Sequence, residues 1–188
     1  MKMSLKSMLT GIALLGFGGV ANAVPMELVT NGGFETGDLT GWTCTGADSC
    51  STTGSAHSGS YAAIGFDNSG YATLSQDIAT VIGATYDLSF WSYAPELSGN
   101  ILRYMIDSLT PVTVPTTASY SLTSTSFVAS GTTTSISLLF ETDSGTGTWR
   151  IDDVSVTGAS SAVPEPTALA LMGLGLAGIG FARKKKQV

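Results

Sequence analysis

The sequence predicts an all-β fold over residues 24–158, with two antiparallel sheets packed face to face as a β-sandwich or jelly roll. Three observations support this prediction. Helical periodicity is absent from the stretch, β-branched and aromatic residues are frequent, and turn residues recur at short intervals. Its length of about 135 residues suits one domain with one core.

Eight short segments have the composition of strands, and runs rich in Gly, Ser, Thr, Asn and Pro separate them. They are residues 27–30, 61–65, 72–78, 85–93, 100–106, 120–128, 135–141 and 149–156. Strict alternation in two segments assigns a core face to Tyr86, Leu88, Phe90, Ile136, Leu138 and Phe140. The opposite face of the fourth segment carries Asp87, Ser89, Trp91 and Tyr93. We also predict that Trp42 and Trp149 are buried.

The N-terminus has the features of a secretory signal peptide. Lys2 and Lys6 precede an apolar stretch at residues 9–20, and small residues end it. We therefore predict a signal peptide over residues 1–23, cleaved between Ala23 and Val24. A retained N-terminal helix is the weaker alternative, because the stretch is short and rich in glycine.

The C-terminus has the sequence features of a second targeting segment. A linker at 159–166 contains two prolines that cannot continue a helix, an uncharged segment follows at 167–182, and a basic tail occupies 183–188. As a helix, the apolar part from 168 to 182 reaches only about 22 Å, which makes it a marginal transmembrane span. The basic tail should stay cytoplasmic and leave the preceding domain outside.

This order of features resembles the PEP-CTERM sorting signal of Gram-negative bacteria. The resemblance implies processing by exosortase, a transient stay in the inner membrane, and delivery to the cell surface or the exopolysaccharide matrix. It assigns recognition to Pro164, Glu165 and Pro166, and retention to Arg183, Lys184, Lys185 and Lys186. An ordinary C-terminal anchor is the alternative, and the intact mass of the mature protein would separate the two.

Composition narrows the possible partners. Residues 24–162 contain two cations, Arg103 and Arg150, against 13 carboxylates, a formal balance of −11. Such a domain should repel phosphate backbones, so nucleic acid is not an expected partner, whereas neutral glycans and divalent cations are compatible with it. Acidity that merely keeps an exported domain soluble explains the balance equally well.

Export also predicts the state of the only two cysteines. Cys44 and Cys50 are six positions apart, and in an oxidising compartment we expect them to form a disulfide that closes a small loop. A metal site built on two cysteines without a nearby histidine pair is a poor competitor.

Three stretches, residues 28–42, 57–62 and 149–156, resemble the galactose-binding-like jelly rolls that include many carbohydrate-binding modules. The first places a strand, a Gly-rich turn, Glu35 and Trp42 in order, and the last sets two carboxylates inside a strand. The resemblance extends over nearly all of residues 26–157. It implies fold rather than ligand, because this scaffold hosts unrelated functions.

Carboxylates on the first and last strands, which lie side by side in such folds, suggest a structural calcium ion. Calcium takes six to eight oxygen ligands and tolerates irregular geometry. We predict a site at Glu35 and Asp152, completed by Asp153 or by backbone oxygens near Gly59 and Ser60. Capping of local amides by Glu35 and solvation of the two aspartates is the alternative.

Glycan recognition requires exposed rings that stack on sugars, flanked by hydrogen-bonding groups. The predicted rings are Trp91, Tyr93 and Tyr104, with Arg103 and Asn100 as polar partners. Burial of these rings is the alternative, and it would favour a structural surface or matrix protein without a small-molecule ligand.

An enzyme is the weakest interpretation. His57 is the only histidine, and no nucleophile motif or metal-binding histidine pair accompanies it. Asp152 and Asp153 are adjacent, so a regular strand would point them to opposite faces, where they could not act on one bond together.

Overall fold

The computed structural model describes residues 25–46, 49–66, 72–95, 100–142 and 148–158. The predicted signal peptide, linker, apolar segment and basic tail lie outside these residues. In the described part of the chain, no helix has the length and apolar character needed to cross a membrane.

The described residues form two antiparallel sheets, so the predicted fold class is confirmed. The strands are β1 (Met26–Glu27), β2 (Thr43–Thr45), β3 (Ser49–Thr53), β4 (Ala62–Phe66), β5 (Ala72–Ala79), β6 (Thr85–Tyr93), β7 (Asn100–Ile106), β8 (Val112–Val114), β9 (Ser121–Val128), β10 (Thr133–Thr142) and β11 (Trp149–Gly158). The six-stranded sheet has the order β3-β4-β11-β6-β9, with β1 also paired to β11. The five-stranded sheet has the order β2-β5-β10-β7-β8.

The core lies between the sheets and follows the predicted alternation. Every residue assigned to it is at most 8% exposed, including Trp42 and Trp149. The sequence did not predict β2, β3 and β8, which are short and consist mostly of Ser, Thr, Cys and Val. The first strand is shorter than expected, because its regular pairing with β11 covers only Met26 and Glu27; the Glu27 carboxylate accepts the amides of Leu28 and Val29 that follow, at 3.0 and 2.8 Å.

Cys44 and Cys50 form the predicted disulfide, with their Cα atoms 5.9 Å apart. Cys44 lies on β2, at the edge of the five-stranded sheet, and Cys50 lies on β3, at the edge of the six-stranded sheet. The bridge therefore joins the two sheets along one open side of the sandwich.

The antiparallel strands give the sandwich two distinct ends. We call the end where the described chain stops at Gly158 the proximal end; β6 begins there and β9 finishes there. We call the opposite end, where β6 finishes at Tyr93 and β11 begins at Trp149, the distal end.

Candidate functional site

A bulge in β11 organises the candidate site. The pairing of β11 with β6 shifts between Asp152 and Ser155, and Asp153 has a left-handed φ of 49°. The predicted placement of Asp152 and Asp153 on opposite faces is therefore wrong, because the bulge breaks the alternation. Both carboxylates contact His57 and Ser58 of the β3–β4 loop, residues 54–61.

The Asp152 carboxylate anchors this loop by accepting hydrogen bonds from its backbone. Its side chain is 0% exposed, and one carboxylate oxygen accepts the amides of His57 at 2.7 Å and Ser58 at 3.0 Å. The other oxygen accepts the amide of Asp153 at 2.7 Å. Burial raises the pKa of Asp152 despite these three donors, since a buried carboxylate loses its hydration.

Two further carboxylates complete the anchoring. Asp153 bonds the His57 Nδ1 atom and accepts the Ser58 hydroxyl, each at 2.7 Å. Glu35 accepts the amides of Ser60 and Tyr61, each at 2.9 Å. Gly59 passes so close to Glu35, with a φ of 64°, that a Cβ atom would lie 2.5 Å from the carboxylate.

The three predicted carboxylate ligands thus surround the loop that contains Ser60, but the loop atoms facing them are mostly hydrogen-bond donors. The oxygens of Glu35 and Asp152 accept N–H groups, whereas calcium requires oxygen ligands. Among the described residues, no group of three or more His, Cys, Asp or Glu side chains is placed to hold a metal. The residues as they stand fit amide capping better than metal binding, and calcium stays a prediction.

The anchored loop places His57 on an aromatic cluster, which we define as His57, Trp91, Tyr93 and Tyr120. The His57 and Trp91 rings stack with centroids 3.8 Å apart and planes 14° apart. Tyr120 lies 5.4 Å from both His57 and Tyr93. Since Trp91 and Tyr93 alternate with the core residues of β6, the cluster covers the outer face of the six-stranded sheet toward the distal end.

Polar groups surround these rings. The Arg150 guanidinium lies over Tyr93, 5.2 Å from the ring centroid, because Arg150 is directly opposite Tyr93 in the pairing of β11 with β6. The Tyr120 hydroxyl donates to the backbone oxygen of Ser55 at 2.6 Å. Burial, followed by the nearby Asp152 charge, raises the pKa of Tyr120 well above its usual range, so this hydroxyl stays a donor.

The structure divides the predicted glycan-binding residues between two sheets. Trp91 and Tyr93 lie together in the aromatic cluster, but the other three residues belong to β7 of the five-stranded sheet. Tyr104 packs against Phe90 of the core at 5.9 Å, and Asn100 is 5% exposed. Arg103 lies on the outside of its sheet, 3.1 Å from the Glu141 carboxylate. A single surface containing all five residues is therefore wrong.

Sequence reasoning missed three members of the site. Tyr120 precedes β9 and Arg150 lies on β11, and only the strand order brings them beside β6. His57 belongs to a Ser/Gly turn whose sequence carries no sign of a stacking partner. The nearest signal was the outward-facing parity of Trp91 and Tyr93.

Solved structures share this fold. The chain is similar to TmCBM61 in complex with β-1,4-galactotriose, with 21% identity, a TM-score of 0.59, and coverage of 70% of this chain and 97% of that one. It is also similar to the CBM22-1 xylan-binding domain from Paenibacillus barcinonensis Xyn10C, with 14% identity, a TM-score of 0.54, and coverage of 73% and 95%.

A third similar structure is a Stig cyclase, Fisc from Fischerella sp. TAU, with 17% identity, a TM-score of 0.51, and coverage of 72% of this chain and 98% of that one. Identities this low show the fold alone. The three similarities place this domain in the class of β-sandwich folds. This fold hosts different functions in different proteins.

The family is shown by the sequence itself. The carbohydrate-binding domain family matches residues 26–151, and the chain belongs to it. The PEP-CTERM protein-sorting motif matches residues 162–185, so the chain carries the sorting signal of an exported, membrane-processed protein. Among curated proteins, no match was found.

Proposed function

We propose that the domain binds a polysaccharide outside the cell through the aromatic cluster. One observation carries this proposal: the four rings, with centroids 3.8 to 5.4 Å apart between neighbours, lie outside the core on one face of a sheet. Rings in this position can stack on the apolar faces of sugars. The His57 side chain is 29% exposed, which leaves part of it open to a ligand.

The polar groups of the cluster suit a neutral ligand. Arg150 holds one face of Tyr93, and Asp153 engages His57, so both charged groups are turned toward the rings. The domain is strongly acidic overall, which disfavours anionic chains. Neutral glycans are therefore the expected class, and β-1,4-galactan and xylan are suitable first probes because two similar structures are described with such ligands.

Affinity electrophoresis of the exported protein with a panel of neutral polysaccharides tests the proposal. Trp91→Ala should lower the affinity for the bound polysaccharide at least about tenfold, or roughly 1.4 kcal/mol, because a stacking surface is lost. Tyr61→Ala is the matched control, since Tyr61 is an exposed tyrosine outside the cluster. Unchanged binding by the Trp91 variant, with loss of binding by Arg103→Ala, would place the ligand on the five-stranded sheet instead.

One observation favours a structural surface or matrix protein without such a ligand. His57 covers one face of Trp91, so the largest ring of the cluster is only partly open. This alternative predicts no retardation by any polysaccharide of the panel and no effect of the Trp91 substitution.

We further propose that the role is non-catalytic. In support, the Ser58 hydroxyl donates to Asp153 rather than to His57, so the described residues of the loop do not form a nucleophile and base pair. Hydrolysis of any bound polysaccharide, measured as new reducing ends, would contradict this proposal.

The sorting motif supports a proposal about how the protein is processed and where it is delivered. We propose that an exosortase-type enzyme recognises Pro164, Glu165 and Pro166 while the precursor is held in the inner membrane, and that the mature protein reaches the surface or the matrix. A mature C-terminus that still ends at Val188 would contradict processing.

Calcium binding remains a separate proposal for Glu35, Asp152, Asp153 and Ser60. It predicts a higher melting temperature in excess calcium than in chelator. Equal melting temperatures, with Glu35→Gln unaffected by either condition, would instead support amide capping alone.

A further inference from the structure

The proximal end carries a concentration of exposed aliphatic side chains. Val81, Ile82, Leu109 and Val128 are 61–64% exposed, and we call them the aliphatic rim. They come from three separate segments of the chain, namely the β5–β6 turn, the β7–β8 connection and the last residue of β9. Exposed apolar groups gathered from separate segments mark a contact surface more often than single exposed residues do.

Backbone bonds bring these connections together. In the β5–β6 turn, the Gly83 amide donates to the Ala129 carbonyl at 2.9 Å, and the Ala129 amide donates back to Ala84 at 3.0 Å. Leu109 and Val128 line one groove of about 490 Å³. The bonds thus join the β5–β6 turn to the residue after β9, and the groove joins the end of β9 to the β7–β8 connection.

The chain leaves the domain beside this rim. Gly158, the last described residue, packs directly on the Tyr86 ring and is opposite Tyr86 in the pairing of β11 with β6. The Tyr86 hydroxyl accepts the amide of Val81 at 2.9 Å. One side chain thus connects the exit of the chain to the rim.

The sequence after Gly158 limits how far the rim can lie from an inserted C-terminal segment. Eight residues, 159–166, separate Gly158 from the uncharged segment 167–182, and even fully extended they reach at most roughly 28 Å. A tether of this length keeps the exit end of the domain within roughly 28 Å of the inserted segment, so the side chains beside Gly158 are within reach of the bilayer surface.

We propose that the aliphatic rim docks on the lipid bilayer surface while the C-terminal segment is inserted. The two cations of residues 25–158, Arg103 and Arg150, lie on β7 and at the distal end, so attraction to anionic headgroups does not drive this contact. Burial of uncharged aliphatic side chains at the interface drives it, and zwitterionic lipid suffices.

Site-specific labelling of the full chain in phosphatidylcholine vesicles tests the proposal. The native cysteines are paired with each other, so an introduced cysteine can be labelled alone with an environment-sensitive fluorophore. Ile82→Cys reports on the rim, and Leu122→Cys is the matched control, because Leu122 is 54% exposed on the outer face of the six-stranded sheet. Val128→Cys replaces the first variant should that variant fail to fold.

We expect the label at position 82 to be quenched by bromolipids and to be about threefold less accessible to iodide than the label at position 122. Equal accessibility of the two labels overturns the proposal. Protection at position 82 that grows with the density of protein in the vesicles also overturns it, since a second copy of the chain would then be the partner.

Discussion

The distal and proximal ends of the sandwich are organised by different interactions. Toward the distal end a disulfide joins the sheets, and at the bulge in the middle of β11 three carboxylates hold the β3–β4 loop against the six-stranded sheet. At the proximal end, short turns close on one another through backbone bonds and expose aliphatic side chains. Polar anchoring fixes side-chain positions, which a binding site requires, whereas an apolar rim needs only to be exposed.

The largest effect on the anchored loop is expected from Asp152→Ala. The change leaves the partly buried amides of His57, Ser58 and Asp153 without their acceptor, and we expect a loss of about 3 kcal/mol in the free energy of unfolding. Polysaccharide binding should fall with it, because His57 loses its support on Trp91. Denaturant unfolding measures the stability change.

Asp87→Ala is the control for that experiment. Asp87 lies on the outer face of the same sheet but is exposed and, among the described residues, accepts only the Ser126 hydroxyl, so its removal should change stability little. Equal stabilities of the Asp152 variant and the wild type would show that the loop is held by other contacts.

Removal of the disulfide tests the covalent part of the distal end. For the loop closed by Cys44 and Cys50, replacing both with serine should lower stability by about 2 kcal/mol, because the unfolded chain gains freedom. Thermal melting checks this, and reducing agent should shift the wild type but not the variant. A variant as stable as the wild type would mean that strand packing alone holds the two edges.

The pH dependence of stability sharpens the role of Asp152. Burial raises its pKa in the folded state, so folding favours the protonated form. The associated stability is present below the unfolded value, near 3.8, and is lost as the pH rises through the folded-state pKa. The melting temperature of the wild type minus that of Asp152→Asn should therefore decrease from pH 4 to pH 7, and an increase would contradict the assignment.

The smallest effect is expected at the proximal end. Ile82→Ser should change the free energy of unfolding by less than about 0.5 kcal/mol in solution, because Ile82 is 64% exposed. The matched control is Ile78→Ser, since Ile78 is 2% exposed and its loss should be several-fold larger. A large loss at position 82 would show that the rim is already covered within one molecule.

The sequence predicted the architecture well and the site only in part. Alternation in β6 and β10 identified the core faces, because side chains on a regular strand must alternate. The same rule failed at Asp153. One extra residue in β11 forms a bulge there, so that both Asp152 and Asp153 contact the β3–β4 loop. The rule also grouped Trp91 with Tyr104 and Arg103, because parity within a strand does not say which sheet the strand joins.

By itself, the sequence determined the C-terminal sorting motif, the all-β class, the disulfide and the outward parity of Trp91 and Tyr93. These properties depend on local composition, on spacing within one segment or on the redox compartment. Tertiary structure alone decided that His57, Tyr120 and Arg150 join those rings, and that the aliphatic rim lies beside Gly158. Strand order and a single bulge set these contacts, and both arise from pairing between residues that are distant along the chain.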